Sequence, residues 1–428
     1  MKKLFVTVGL AAIGASSLHA QFAPGISSDE MSKPWSVGAT LRGFYDDNYL
    51  TLPKSLARSS YGIEVSPSVA LNHSEDQTSY GLGFVFDDRW YEQSSTSDTS
   101  YLFNGNLHHS FSERYSVTVS DAFVIAQQPT VIDPAIVSTP LRVSGNNVHN
   151  NGTLSGTAEL TQLLDLKATY QNNMYAYQQT AGDVYNPTGH QVSPSYSALL
   201  DRIEQLASLD LDWKVQPDLT GILGYQYGHT GYTSPEGIIF APAPSTTAIA
   251  YSKQRNNDSD FVYVGADKDF SSVLHGSIRV GGEYVDFYNA PHKTDKATPY
   301  VDASLTWQYA QASTAAIGVK HLYNATDVVG SSAAATLDEQ STAAYVTVTH
   351  KLGDLTVGAL GQFQYSTFNG GSETGQSEDF LILGLNLSYR ITPYLNGEAG
   401  YNWNKLVSDI SERDYTRNQI YIGVRATY

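Results

Sequence analysis

His108 and Ser110 stand at a spacing that could support catalysis. A two-residue step puts both on one face of an extended segment, where an imidazole could take the hydroxyl proton and activate a nucleophile. Such a pair needs a third group to orient the ring, and the segment that begins at Tyr115 offers Asp121 but no clear Asn. Asn104, Asn106, His108 and Ser110 alternate with Tyr101, Phe103, Leu107 and Phe111, so the pair belongs to a polar face. Residue type without geometry is weak support for catalysis, and the expectation is a protein that is not an enzyme. Three acidic runs could offer oxygens to hard cations: Asp46-Asp47-Asn48, Asp87-Asp88 and Asn256-Asn257-Asp258-Ser259-Asp260. None has the spacing of an EF-hand loop and all fall at expected strand ends, so they read as solvated carboxylates at a rim. There is no His-Glu-x-x-His and no phosphate-binding Gly-x-x-x-x-Gly-Lys; Gly81-x-Gly83 sits inside an expected strand. With no cysteine, thiolate metal sites and cysteine nucleophiles are excluded, and no cofactor or metal is expected.

The elements that carry these residues follow from composition. The 428 residues are 41% hydrophobic but only 16% charged, against about a quarter in ordinary soluble chains. Tyr (30) and Gly (35) take the place of charge, and 12% aromatic residues is too much apolar surface for a disordered chain. No apolar run approaches the ~20 residues a spanning helix needs. The start, Met1-Lys2-Lys3, then an apolar run from Leu4 to Ala15 and the small-residue site Leu18-His19-Ala20, reads as a Sec signal peptide cleaved after Ala20. No cysteine follows that site, so no lipid anchor is expected. Losing Lys2 and Lys3 takes the formal net charge from -17 to -19, which argues against nucleic acid as a partner.

Beyond a leader at 21–34, the chain falls into alternating segments of about ten residues. Counting back from Tyr428, Ala426, Val424, Ile422 and Ile420 share one face, and Thr427, Arg425, Gly423 and Tyr421 the other. A terminal aromatic on such a strand looks like the signal read by the outer-membrane assembly machinery. Leu381, Leu383, Leu385, Leu387 and Tyr389 repeat the pattern, as do Val301, Ala303, Leu305, Trp307 and Tyr309. So do Leu395, Ala399, Tyr401 and Trp403, and Tyr80, Leu82, Phe84 and Phe86. Short connectors at 112–114, 216–218, 352–354 and 391–393 alternate with long polar stretches at 127–147, 178–197, 231–257, 324–339 and 368–377. That rhythm belongs to barrels with short periplasmic turns and long external loops. The fold expected is all-β: one transmembrane antiparallel up-and-down barrel over 35–428, of about eighteen strands from 35–46 to 415–428, with sixteen the alternative. The stretch 195–211 reads as loop with a helical turn entering a strand. Two loop tips are apolar, 131–137 and 238–242, and fit either a loop turned inward to constrict a pore or loop–loop packing.

The run Gly43-Phe44-Tyr45-Asp46-Asp47-Asn48, followed by Ile63-Glu64-Val65-Ser66-Pro67-Ser68-Val69, resembles an outer-membrane β-barrel porin family of diderm bacteria, the beta-barrel porin 2 type. Asn150-Asn151-Gly152-Thr153, in a hairpin that ends in Tyr170-Gln171-Asn172, is similar to it as well. The resemblance implies an outer-membrane barrel, and the family's link to exopolysaccharide or capsule loci implies an accessory role in export as the second reading, beside a surface interaction protein.

The first reading is a porin-like channel for small hydrophilic solutes. Candidate pore-lining residues are Arg42, Glu64, Asp87, Lys167, Asp212, Arg279, Glu283, Asp302, Glu398 and Arg425, with Glu159, Asp165, Lys214, Lys320 and Lys405 on the same polar set. Mixed charge within and an acidic surplus toward the mouth predict a weak preference for cations. Only 21–34 separates the cleavage site from the first strand, which leaves no plug domain and argues against a TonB-dependent transporter. Partners expected are outer-membrane lipid and the assembly machinery, with further copies of the chain as an option. Val424→Asp should be severe and Arg425→Asn mild, since only the first puts charge toward lipid.

Overall fold

The computed structural model describes residues 30, 33–126, 146–184, 193–241, 247–292, 294–330 and 334–428. The expected signal peptide, nearly all of the 21–34 leader and the apolar tip at 131–137 lie outside the described residues. In chain order the strands are β1 (Trp35–Asp46), β2 (Ser60–Ser74), β3 (Thr78–Tyr91), β4 (Thr96–Ser110), β5 (Tyr115–Ala126), β6 (Asn147–Thr161) and β7 (Leu164–Tyr177). Then come β8 (Arg202–Gln216), β9 (Leu219–Tyr232), β10 (Gly237–Phe240), β11 (Ala248–Tyr251), β12 (Asn257–Ser271), β13 (Leu274–Phe287) and β14 (Thr294–Ala310). The last six are β15 (Ser313–Asn324), β16 (Asp338–Leu352), β17 (Leu355–Asn369), β18 (Ser377–Thr392), β19 (Leu395–Ser408) and β20 (Tyr415–Thr427).

All but β10 and β11 form one 18-stranded antiparallel sheet in which each strand pairs with its neighbours in sequence, β9 passing to β12. The sheet closes on itself. β1 pairs with β20 from Gly38 opposite Thr427 to Asp46 opposite Gln419, and the backbones of Val37 and Tyr428 exchange two further hydrogen bonds. Trp35 and Tyr428 meet at the seam with ring centroids 5.7 Å apart. Closure leaves no edge with unpaired amides, which a hydrocarbon medium requires.

Alternation sets the two faces. Along β1, Trp35, Val37 and Leu41 are exposed outward, while Ser36, Thr40 and Arg42 are buried within. Along β20, Ile420, Ile422 and Val424 point out, and Arg417, Tyr421 and Arg425 point in. Short turns such as 217–218, 353–354 and 393–394 occupy one end, with both ends of the strand sequence. The other end carries the long connections, including 178–201 and 325–337; the exception is 92–95, a tight link on the long-loop side.

One assignment from the sequence is reversed. Lys405 shares its parity with Tyr401, an outward residue, and is exposed on the outer surface near the long-loop end of β19 rather than inside. The ambiguous stretch at 195 resolves into a short helix, α1 (Tyr196–Leu200), and then β8. Ser195 caps it by accepting from the backbone N–H of Ala198 at 3.0 Å, which satisfies one of the free amides of the first turn.

Candidate functional site

The interior has two unlike halves. Against β1–β3 and β18–β20 it is filled by a chain of alternating charges. Arg89 reaches Asp87 at 3.4 Å and Glu64 at 2.6 Å. Glu64 meets Arg42 at 3.5 Å, and Arg42 meets Glu398 at 2.6 Å. Arg425 lies 3.9 Å from Glu398 and 2.5 Å from Glu30. Glu30 enters this face from outside the strands and also accepts from Ser68 Oγ at 2.7 Å. Its carboxylate occupies the space beside Gly38, where any Cβ would collide with it. The Arg42 guanidinium also covers the Tyr421 ring at 4.3 Å, a cation–π contact away from bulk water.

Nearer the long loops the same half holds Asp46, which is fully buried and takes three bonds from Arg417, the shortest at 2.5 Å. Asp47 accepts from Asn418, through its backbone N–H at 2.6 Å and its side-chain amide at 2.5 Å. This cluster is therefore not a solvated rim. Asp46 closes the β1–β20 seam from within, and Asp47 closes it on the outer face, where Asn418 also accepts from the Tyr401 hydroxyl at 2.7 Å. Leu360, Phe380, Ile382, Leu406 and Tyr415 add an apolar cluster to the interior of this half.

The half formed by β5–β9 and β12–β16 is open. It encloses a cavity of about 470 Å³. One wall is amide and hydroxyl: Ser120, Asn151, Thr153, Thr169, Gln171 and Asn173. Lys167 stands beside Thr169 on that face, and the other wall combines Phe261, Tyr263 and Tyr300 with Asp210, Arg279, Glu283, Asp302 and Lys320. Lys320 pairs with Asp302 at 3.3 Å, and the Tyr263 hydroxyl donates to Asp210 at 2.5 Å.

The candidate pore-lining residues divide between the halves. Lys167, Arg279, Glu283 and Asp302 line the cavity, and Asp212 sits on the same inward face of β8, below Asp210. Arg42, Glu64, Asp87, Glu398 and Arg425 belong to the filled ion-pair chain. For Arg425 this overturns the expectation that Arg425→Asn would be mild. The guanidinium is nearly fully buried between two carboxylates, not bathed in water. Residues not singled out from sequence include Arg89 and Asp210, each one two-residue step from a candidate, and Arg417 and Glu204, which share the inward parity of Arg425 and Asp212 several steps away. The period that marked Asp87 and Asp212 would have found Arg89 and Asp210.

At the long-loop end, among the described residues, three loops are tied together. Arg255, fully buried, donates to the carbonyls of Leu199 at 3.0 Å, Thr326 at 2.5 Å, Val328 at 2.9 Å and Thr336 at 3.1 Å. It thereby joins the loop after β11 to the loop containing α1 and to the β15–β16 loop. Ile238 and Ile239 of β10 pack beneath it with Ala198, Ala250 and Ala335. The apolar tip near 238 thus takes the loop–loop packing expected as one of its two alternatives.

His108 and Ser110 do meet, with Nε2 and Oγ 3.2 Å apart, and Thr118 Oγ1 lies 3.0 Å from Nδ1. The orienting group is a neutral hydroxyl, which does not offset the charge an imidazolium would carry. Asp121 faces outward on β5 and cannot take that role. Among the described residues no group of three or more His, Asp or Glu is placed to hold a metal ion.

A closed antiparallel wall, apolar outside and polar within, defines the class: a transmembrane β-barrel of the outer-membrane kind. A family model described as "Putative beta-barrel porin 2" matches residues 245–428. No curated protein matches the sequence. The FrpB iron transporter from Neisseria meningitidis (F3-3 variant) is similar at 12% identity over 91% of this chain and 65% of that chain, with a TM-score of 0.42. This chain therefore spans just under two thirds of the transporter's length. OccK2 (OpdF) from Pseudomonas aeruginosa, in complex with glucuronate, is similar at 11% identity, covering 92% of this chain and 98% of that one, with a TM-score of 0.42. OccAB2 from Acinetobacter baumannii is similar at 11%, 94% and 99%, again with a TM-score of 0.42.

Proposed function

We propose that the chain is an outer-membrane channel through which small hydrophilic solutes diffuse passively, with a weak preference for cations. The observation that carries this reading is the polar cavity of about 470 Å³ inside a closed wall, within the size range of small-molecule sites. Its amide and hydroxyl side chains offer hydrogen bonds to polar solutes, with Lys167 one step from Thr169 and Glu204 opposite Asn173 on the same face. Its lining sets five carboxylates (Glu204, Asp210, Glu283, Asp302 and Asp338) against three cations (Lys167, Arg279 and Lys320). Arg202 bonds Glu204 at 2.6 Å and Lys296 lies 3.5 Å from Asp338, so the cavity is close to balanced, and the weak cation preference rests on the chain's formal net charge of -17. Export by Sec with cleavage after Ala20, assembly through the Tyr428 strand and the absence of enzymatic turnover are parts of the same proposal.

Reconstitution in planar bilayers tests it. Expected are discrete conductance steps and a reversal potential in a KCl gradient that favours K⁺. The preference should fade as the screening length falls from about 30 Å at 0.01 M salt to 3 Å at 1 M. Anion preference at low salt would sink the selectivity claim. The second reading, an accessory barrel for exopolysaccharide export, draws on the three loops bound together at the long-loop end. Absence of conductance from a correctly folded barrel would favour it.

A further inference from the structure

We infer that the outward face of β5–β8 is a contact surface for a second copy of this chain rather than a surface for lipid. This goes beyond the channel reading and does not depend on it. Outward positions in a membrane barrel are apolar, and on this wall four are not: Asp121 on β5, Asn150 on β6, Asn172 on β7 and Gln205 on β8. The register sets them in one row. Asp121 stands opposite Gly152, Gly152 opposite Asn172, and Asn172 opposite Gln205. Asn150, the next outward position on β6, donates its amide to Asp121 at 2.8 Å.

The row does not lie at a rim. Toward the short turns it is followed on the same four strands by Val119, Leu154, Tyr170 and Ala207, with Leu209 next on β8. Toward the long loops it is followed by Phe123, Val148, Met174 and Ile203. Polar groups bracketed by apolar ones on both sides sit within the hydrocarbon band, where unmet hydrogen bonds cost several kcal/mol each. In the row, the cross-strand neighbours of Asn172 are Gly152 and Gln205, so the wall meets only part of what two amides donate and accept. The opposite wall shows the contrasting case. Its groove of about 760 Å³ is bounded by Ile278, Leu305, Ile317, Val346, Phe363 and Leu383, a surface that acyl chains fill without loss.

A copy of this chain is the occupant the chemistry fits. An amide is both donor and acceptor, so a patch of Asn and Gln is complementary to itself when turned by a two-fold axis. The small residues Gly152, Gly156, Ala168 and Ala207 on the same face let two walls approach closely.

The chain has no cysteine, so an introduced thiol reports without background. An isologous contact centred on the row brings Asn172, beside its midpoint, near its own copy and sets the Asp121 end against the Gln205 end. Asn172→Cys and, separately, Val346→Cys on the opposite wall are placed in liposomes at equal density and treated with a mild oxidant. Disulfide dimers about tenfold more abundant from Asn172→Cys are expected. In a second arm without thiols, Asn172→Leu with Gln205→Leu should weaken self-association of the folded barrel about tenfold, the loss of one amide pair at 1–2 kcal/mol. Heat-modifiable gel mobility serves as the check on folding. Equal cross-linking from the two walls, a monomeric wild-type chain at that density, or undiminished association of the folded double variant would each overturn the inference.

Discussion

Arg42 is the residue on which the filled half of the interior turns, because two buried carboxylates share its guanidinium. Removing one partner of a buried ion pair leaves the other charged and unsolvated. Arg42→Met should therefore cost about 3–5 kcal/mol in reversible unfolding from lipid or detergent. Combining it with Glu64→Gln and Glu398→Gln should recover much of that loss, since no bare charge then remains; a triple variant no better than the single one would contradict the account. Asp201, between α1 and β8, gives a pH signature. Burial raises its carboxyl above the ordinary range although Ser197 and the Tyr177 amide donate to it. A raised acid binds its proton more tightly in the folded state. The associated stability is full below the ordinary carboxylate pKa and is lost as pH rises through the raised value. Hydrogen exchange across 196–201 should accordingly be slower in mild acid than at neutral pH, after correction for intrinsic rates, and Asp201→Asn should remove the difference. At this scale the sequence was readable only by parity. Arg89 and Arg417 were within reach of the two-residue period, whereas nothing local to Arg255 or Glu30 distinguishes them from surface charges. Their partners are distant in sequence.

Strands were more legible than side-chain roles, because a closed membrane wall forces every element to repeat one rule. The final strand shows why: four apolar residues from Ile420 to Ala426 face lipid, and the intervening Tyr421 and Arg425 cannot leave the interior without turning the whole strand over. The charge of Lys405 suggests the interior, but its parity puts it outside, and its position near the end of β19 lets a long side chain reach the aqueous boundary. The filled half was not legible, because alternation says which way a side chain points and not whether water or another side chain meets it. The face assignment gives a paired prediction. Val424→Arg places a cation against lipid and should cost about 2–4 kcal/mol if near the midplane. Thr169→Arg, on the amide and hydroxyl wall of the cavity, should leave folding yield nearly unchanged. Folding titrations of the two variants decide it, and comparable losses would mean that the faces are reversed or that the cavity is closed to water.

For the whole molecule, closure of the wall and the tying of the loops are separate devices and should fail separately. The wall is held by the continuous ladder that ends at the β1–β20 seam, whereas the tie among the three loops at the long-loop end depends on one guanidinium bonded to four carbonyls of two other loops. Hydrogen bonds from a charged group contribute about 1.5–3 kcal/mol each, and these four converge at a site that is fully buried. Arg255→Ala removes all of them and leaves an opening beside the Tyr232 ring, which the guanidinium faces at 5.0 Å. No strand pairing passes through that site, so the folded barrel should retain its resistance to detergent. The loops at 325–337 and around α1 should instead separate, which predicts faster cleavage by an externally added protease and larger, noisier conductance steps than the wild type gives. A variant with loosened loops but unaltered conductance would show that the narrowest part of the path lies among the charged and aromatic residues of the cavity. A variant unaltered in both would mean that Ile238, Ile239 and their apolar neighbours hold the loops together without Arg255.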